Sequence, residues 1–255
     1  MPPPVRFFRQ ENQGAAVARN RGIAESRGEL LAFLDADDLW VPDKLAVQVA
    51  PFEQDPALIF SFANARNLES SGALGRPFVD FPHSHLAQVR HRRDGEVVTF
   101  EEDLQPWFLL GCPASTPGII ARRDAVLRAG GFDPALRRGQ DLDLWLRLAG
   151  LGRCNYVDRV LYHRRLHGGN VTQDTLRIDR AQIDILTPWL GRPVAWKPCQ
   201  HRTFVRRLAD LSLSVGWRLR KRGETAEARA YLRQSLRYRL RLRTFLLWSL
   251  TQFHA

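Results

Sequence analysis

Three carboxylates fall within four positions at Asp35-Ala36-Asp37-Asp38, directly after the apolar run of residues 30–34. Carboxylates this dense repel one another unless positive charge sits among them, and a divalent cation bearing phosphates is the natural counter-charge. The competing reading is a solvated acidic turn closing a strand, since such turns are common. Further chemistry-bearing residues lie downstream, in Gly139-Gln140-Asp141-Leu142-Asp143 and in Tyr162-His163-Arg164-Arg165-Leu166-His167.

The elements that must carry these residues follow from periodicity and breakers. Residues 5–8 read as a short strand. Residues 14–27 read as a helix with Val17, Ile23 and Ala24 toward one face and Gly28 as its C-cap. Residues 30–34 read as a strand apolar on both faces, as in a parallel sheet. Pro42 opens a helix running through Val49, and residues 58–63 form another strand, an alternation that places the chain in the α/β class. Residues 64–110 lack a regular pattern, being interrupted by Gly72, Gly75, Pro77 and Pro82. The uncharged run 104–121 holds Pro106, Pro113 and Pro117 and reads as loop and short strand. A short helix over 123–129 ends at Gly130-Gly131, a helix covers 141–149, and 156–162 return to strand character. Residues 203–221 and 225–240 then form a helical hairpin across Gly223-Glu224.

Charge divides the chain differently. Its 255 residues carry a formal net charge of +11, and residues 200–255 hold 13 Arg or Lys against three acids. The body is therefore near neutral and the tail strongly basic. No segment is apolar and long enough to span a bilayer, and Met1-Pro2-Pro3-Pro4-Val5-Arg6 offers no apolar signal region. Cys112, Cys154 and Cys199 are widely spaced, form no metal-type pair, and fit a reducing compartment. A cytoplasmic location is expected.

Three blocks in order are specific. They are Gln10-Glu11-Asn12-Gln13-Gly14 with Ala18-Arg19-Asn20-Arg21-Gly22-Ile23; Phe33-Leu34-Asp35-Ala36-Asp37-Asp38-Leu39-Trp40 with Pro42-Asp43-Lys44-Leu45; and Gly130-Gly131-Phe132-Asp133 with Gly139-Gln140-Asp141-Leu142-Asp143-Leu144-Trp145. Together they resemble the family 2 glycosyltransferases of the GT-A fold over residues 5–170. The resemblance implies an α/β, Rossmann-like mixed sheet, a nucleotide-diphosphate sugar as donor, a hydroxyl acceptor on a cell-surface glycan or lipid-linked saccharide, transfer with inversion, and Mn²⁺ or Mg²⁺ as cofactor. It implies Asp37 as the direct metal ligand, with Asp35 and His167 beside it. Arg19, Asn20, Asp35, Asp38 and Arg165 are implied as donor contacts, with Arg164 an alternative to Arg165, and Arg19 reads equally as a brace that pairs with a carboxylate of the turn. Asp141 is implied as the catalytic base, helix capping being its other reading. Gln140 stands where the family usually has Glu, a change that removes a neighbouring charge and is expected to lower the pKa of Asp141. Gln140 and Trp145 are implied acceptor contacts, although Trp145 could equally pack in the core. Asp143 is expected to be structural.

The resemblance starts partway through the family pattern, so a front segment carrying the first strands is expected upstream, and the chain as given is expected to bind donor weakly. Residues 1–198 are expected to form the transferase-like domain and 199–255 a basic helical extension. An anionic membrane surface is the implied partner of that extension, through Arg233, Arg237, Arg239, Arg241 and Arg243 followed by Phe245, Leu246, Leu247, Trp248, Leu250 and Phe253. That places the protein peripherally on the inner face of the cytoplasmic membrane. A solvated arginine face on a packed hairpin is the other reading. No nucleic acid is expected, since no reading module is present. The rival function is an inactive transferase remnant that binds a membrane or a partner.

Overall fold

Residues apolar on both faces of a strand can only be accommodated between two layers, and residues 58–63 supply the middle of this fold. The computed structural model describes residues 5–166 and 174–251. In chain order the elements are α1 (Ala15–Glu25), β1 (Leu30–Ala32), β2 (Leu39–Trp40), α2 (Lys44–Gln54), β3 (Leu58–Leu68), β4 (Leu74–Pro77), β5 (His91–Asp94), β6 (Val97–Phe100), α3 (Gln105–Leu110), β7 (Ile119–Arg122), α4 (Arg123–Arg128), α5 (Gln140–Ala149), β8 (Arg153–Arg165), α6 (Thr175–Leu186), α7 (Pro198–Lys221), α8 (Thr225–Tyr238) and α9 (Leu242–Leu250).

The eight strands form one mixed sheet in the order β1-β7-β3-β8-β6-β5, with β2 on β8 and β4 on β3. The central β3 and β8 run parallel, with Phe62 opposite Tyr156 and Ala65 opposite Tyr162. The other pairs are antiparallel. Aromatic side chains fill the core beside this pair: Phe62 lies 5.1 Å from Tyr156 and 5.5 Å from Phe108, ring centre to ring centre.

The α/β class holds, and several local expectations are corrected. Residues 5–8 are exposed and form no strand. The helix expected over 14–27 stops at Glu25, where the Ser26 N–H caps the carbonyls of Gly22 and Ile23, so Gly28 is not its cap. The 30–34 segment is shorter than expected. Among the described residues β1 pairs only with β7, antiparallel, and Leu34 is exposed, so it is an edge strand rather than a buried parallel one. The unpatterned stretch holds the β5–β6 hairpin, whose Asp94-Gly95 turn is a strong local hairpin signal, with Gly95 at φ 56°. The uncharged run contains α3, which Pro106 starts and whose Trp107, Phe108 and Leu109 are buried. The helical hairpin is found as α7 and α8, joined by Gly223 at φ 81°, and a third helix, α9, follows. Phe204 and Leu208 of α7 lie in the same hydrophobic cluster as the sheet. All three cysteines are free, with Cys154 buried and Cys199 exposed.

Candidate active site

The acidic turn grades its carboxylates by depth. Asp38 is buried, Asp35 half-buried and Asp37 exposed. The Asp38 carboxylate accepts the Arg165 backbone N–H at 3.1 Å, tying the turn to the end of β8. Burial, together with the charges of Asp37 and Asp35, pushes the Asp38 carboxyl up to about 6 despite that hydrogen bond. Arg19 donates to Asp35 at 2.6 Å, and its guanidinium lies 5.3 Å from the centre of the Phe132 ring. Arg19 and, at longer range, the charge of Arg164 act on the turn, and a cluster of carboxylates set among arginines suits a site that takes up a cation together with an anionic ligand.

An aromatic triad sets the distance from this turn to α5. Phe33, two residues before Asp35, meets Phe132 edge-on at 5.5 Å, and Phe132 meets Trp145 at 5.9 Å. Trp145 lies one turn after Asp141 on α5. The loop carrying Phe132 is clasped from two sides. The Asn20 side chain accepts the Phe132 N–H at 2.9 Å and donates to its carbonyl at 2.7 Å. Arg147 pairs with Asp143 at 2.5 Å and donates to the carbonyls of Gly131 and Ala129. Gly131 sits at φ 68°, and a Cβ there would come 2.8 Å from Asn20 Oδ1, so two demands require glycine. Gly139 caps α5 at φ 71°, where a Cβ would meet Ile185 of α6 at 2.5 Å. The three sequence blocks are therefore one mechanical unit.

An open cleft of about 560 Å³ results, a size that suits a small ligand. It is lined by Arg19, Asp35, Asp37, Asp38, Gln140 and Asp141 among the expected residues. Burial raises the Asp141 carboxyl above the ordinary carboxylate range, opposed by the Leu142 N–H and the charge of Arg19. The lowered pKa expected from Gln140 is thus not what governs Asp141. A half-buried carboxylate raised in this way is a better proton acceptor than a solvated one. The side-chain oxygen of Gln140 is buried without a hydrogen-bond partner among the described residues.

Other expected residues fall elsewhere. Trp145 has no exposed surface and belongs to the core, so it forms no acceptor wall. Asn20 spends both amide functions on Phe132 and lies outside the cleft lining, so it braces the loop instead of touching donor. Arg164, not Arg165, lines the cleft; it donates to Asn67 at 3.0 Å and lies over the Phe78 ring. Asp143 is structural, as expected. His167 lies outside the described residues. Among the described residues no group of three or more His, Cys, Asp or Glu side chains encloses a metal position.

The structure adds residues that motif reading missed. Arg137 and Arg138 precede Gly139 at the cleft, Ser115 and Thr116 line it from the loop before β7, and Gln182 of α6 and Arg207 of α7 form its far wall. Arg207 donates to the Leu109 carbonyl at 2.6 Å and to Gln182 at 2.8 Å. Its signal was present: an arginine at helical spacing between the buried face residues Phe204, Leu208 and Leu211 of α7.

Comparison with known proteins agrees with this geometry. The Glycosyl transferase family 2 profile matches residues 1–101. An uncharacterized glycosyltransferase of Rickettsia felis is 27% identical over 190 residues, which are 74% of this chain and 28% of that protein. The putative teichuronic acid biosynthesis glycosyltransferase TuaG of Bacillus subtilis is 29% identical over 168 residues, 66% of this chain and 58% of TuaG. The mannosyltransferase PcManGT of Pyrobaculum calidifontis, solved in complex with GDP-Man and Mn²⁺, superposes with a TM-score of 0.50 at 17% identity, over 95% of this chain and 60% of that one. The fold is a GT-A-type mixed α/β fold, and the chain spans about a quarter of the length of the first of these relatives.

Proposed function

We propose that this chain, whose residues 1–101 match the Glycosyl transferase family 2 profile, transfers a sugar from a nucleotide diphosphate to a hydroxyl acceptor, with inversion at the anomeric carbon. One observation carries the reading: a single cleft gathers the graded carboxylates of Asp35, Asp37 and Asp38, the half-buried Asp141, and the guanidinium groups of Arg19, Arg137, Arg138, Arg164 and Arg207. Carboxylates on one side and arginines around them are what a diphosphate with its divalent cation needs.

The donor set fits Mn²⁺ or Mg²⁺. Asp37, exposed at the cleft, would hold the ion with Asp35 beside it, the remaining ligands coming from phosphate and water. When bound, such an ion neutralises charge that develops on the leaving diphosphate. Arg19 holds Asp35 in place at 2.6 Å, and Asp38 fixes the turn to β8. Asp141 takes the proton of the acceptor hydroxyl as that oxygen attacks from the face opposite the leaving group. Gln140, which lines the cleft beside Asp141, contacts the acceptor and orients it. A growing surface glycan or lipid-linked saccharide is the acceptor class we favour, a reading that the name of the TuaG relative supports. Residues 1–198 carry this chemistry together with Arg207 of α7, which packs on the sheet, and the later helices form a basic extension. Among the described residues no helix is long and apolar enough to cross a membrane.

Titration of the chain with nucleoside diphosphate, with and without Mn²⁺, tests the metal corner. Binding should require the ion and weaken in Asp37→Asn; binding indifferent to both removes that assignment. Release of nucleoside diphosphate from a donor panel tests the base, and turnover retained by Asp141→Asn removes it.

A further inference from the structure

The last helix is inside out. On α9 the buried positions include Thr244 and Thr251 beyond its end, while Leu242, Phe245, Leu246 and Leu250 face solvent with 75%, 50%, 53% and 48% of their surface exposed. Their spacing puts them on one helical stripe. Leu240, in the extended link from α8, is 87% exposed. A contiguous apolar stripe presented outward marks an interaction face.

Charge selects the occupant. Residues 228–255 contain six arginines and no Asp or Glu. Arg233 and Arg237 are exposed on α8. Arg239 lies beside an open cleft of about 540 Å³ at the start of α7, lined also by Arg202, Arg206, His201 and Tyr238 and by no carboxylate. Arg206 and Arg241 press on Arg239 with like charge, and only Arg241 is paired, with Asp210. Among the described residues Arg202, Arg206 and Arg239 make no ion pair. A second copy meeting through the same face would set arginine against arginine. An acidic bilayer supplies what the face lacks: hydrocarbon for the stripe and phosphates for the arginines.

We propose that α9 lies flat on an anionic membrane, its stripe of Leu242, Phe245, Leu246 and Leu250 in the interface, with the Arg202-Arg206-Arg239 cleft seating a lipid headgroup phosphate. The attachment is peripheral, since no described helix can cross a bilayer. It is independent of the transferase reading, because it needs neither donor nor acceptor.

Co-sedimentation of the full chain with vesicles is the test. Phosphatidylcholine vesicles containing phosphatidylglycerol should bind the protein, and phosphatidylcholine alone should not. The Leu242→Ser/Phe245→Ser/Leu246→Ser variant and the Arg202→Gln/Arg206→Gln/Arg239→Gln variant should each lose at least about tenfold in binding. The residues altered are exposed except Arg239, which is half-buried, and circular dichroism checks that each variant is folded. Failure of the wild type to bind acidic vesicles overturns the proposal, as does undiminished binding by either variant. A lipid-free self-association abolished by the serine variant would reassign the face to a second copy. Inorganic phosphate binding at the arginine cleft without vesicle binding would reassign the cleft to a soluble anion.

Discussion

The acidic corner and the C-terminal helices solve opposite problems with charge. At the corner, carboxylates and guanidinium groups interlock at short range: Arg19 with Asp35, Arg147 with Asp143, and the Asp38 carboxylate with a backbone N–H. An aromatic triad beneath holds the separation between the turn and α5. From Ala228 of α8 through α9 charge of one sign accumulates beside exposed apolar surface. The first arrangement is complete enough to fix a geometry. The second is relieved only by something outside the chain. A site for chemistry and a surface for attachment thus differ in how firmly their charged groups are held in place by partners within the chain.

That contrast predicts unequal responses to substitution. The largest belongs to Asp141→Asn, which should lower transfer by about 10²–10⁴-fold while leaving donor affinity unchanged, as read by turnover and titration. Phe132→Ala removes the centre of the triad, a fully buried ring, and should cost about 3–5 kcal/mol in denaturant unfolding. Asn20→Ala leaves the Phe132 N–H and carbonyl unpaired and should cost about 1–3 kcal/mol of stability. A change in donor affinity without loss of stability would return Asn20 to the donor site.

Lys44 sharpens the comparison from the interior. It has no exposed surface, binds Gln48, and lies 4.7 Å from the centre of the Trp40 ring. Burial lowers its ammonium from 10.5 to about 7. The unfolded chain therefore binds more protons between about pH 7 and 10.5, so the stability of the wild type should rise with pH across that window. Lys44→Met should lack that rise, so its stability relative to wild type should be greatest below about pH 7, measured by paired unfolding curves. The smallest effect belongs to Leu246→Ser on the outward stripe, which should change stability by no more than about 0.5 kcal/mol. A large loss there would mean that α9 contributes to the core rather than to a surface.

Sequence reading reached the corner because its pieces are local. An acidic turn, a double glycine and a helix start each announce themselves within a few residues, and their spacing is carried by the chain. It misassigned Trp145 and Asn20 because a motif shows which residues cluster, not which way each points. The partners that decide the matter, Phe33 and Phe132, are distant in sequence. It missed Gln182 and Arg207 because the wall they form depends on how α6 and α7 dock on the sheet. The edge position of β1 was hidden for the same reason, since strand composition does not reveal the neighbour. The β5–β6 hairpin was legible in Asp94-Gly95 and was obscured by the glycines and prolines around it.

The parallel pairing of β3 with β8 has a consequence for how the chain acquires its shape. Strand β3 ends at Leu68 and β8 begins at Arg153, and its other principal neighbour, β7, begins at Ile119. Both long edges of the central strand therefore wait for residues beyond the 1–101 stretch that matches the family profile. The acidic turn, although encoded early and braced by Arg19, is tied to the central sheet when the end of β8 delivers the Arg165 N–H to Asp38. During synthesis the site must consequently assemble late, after a long loop has closed, and a truncation that spares every carboxylate of the turn would still abolish the surface on which they sit.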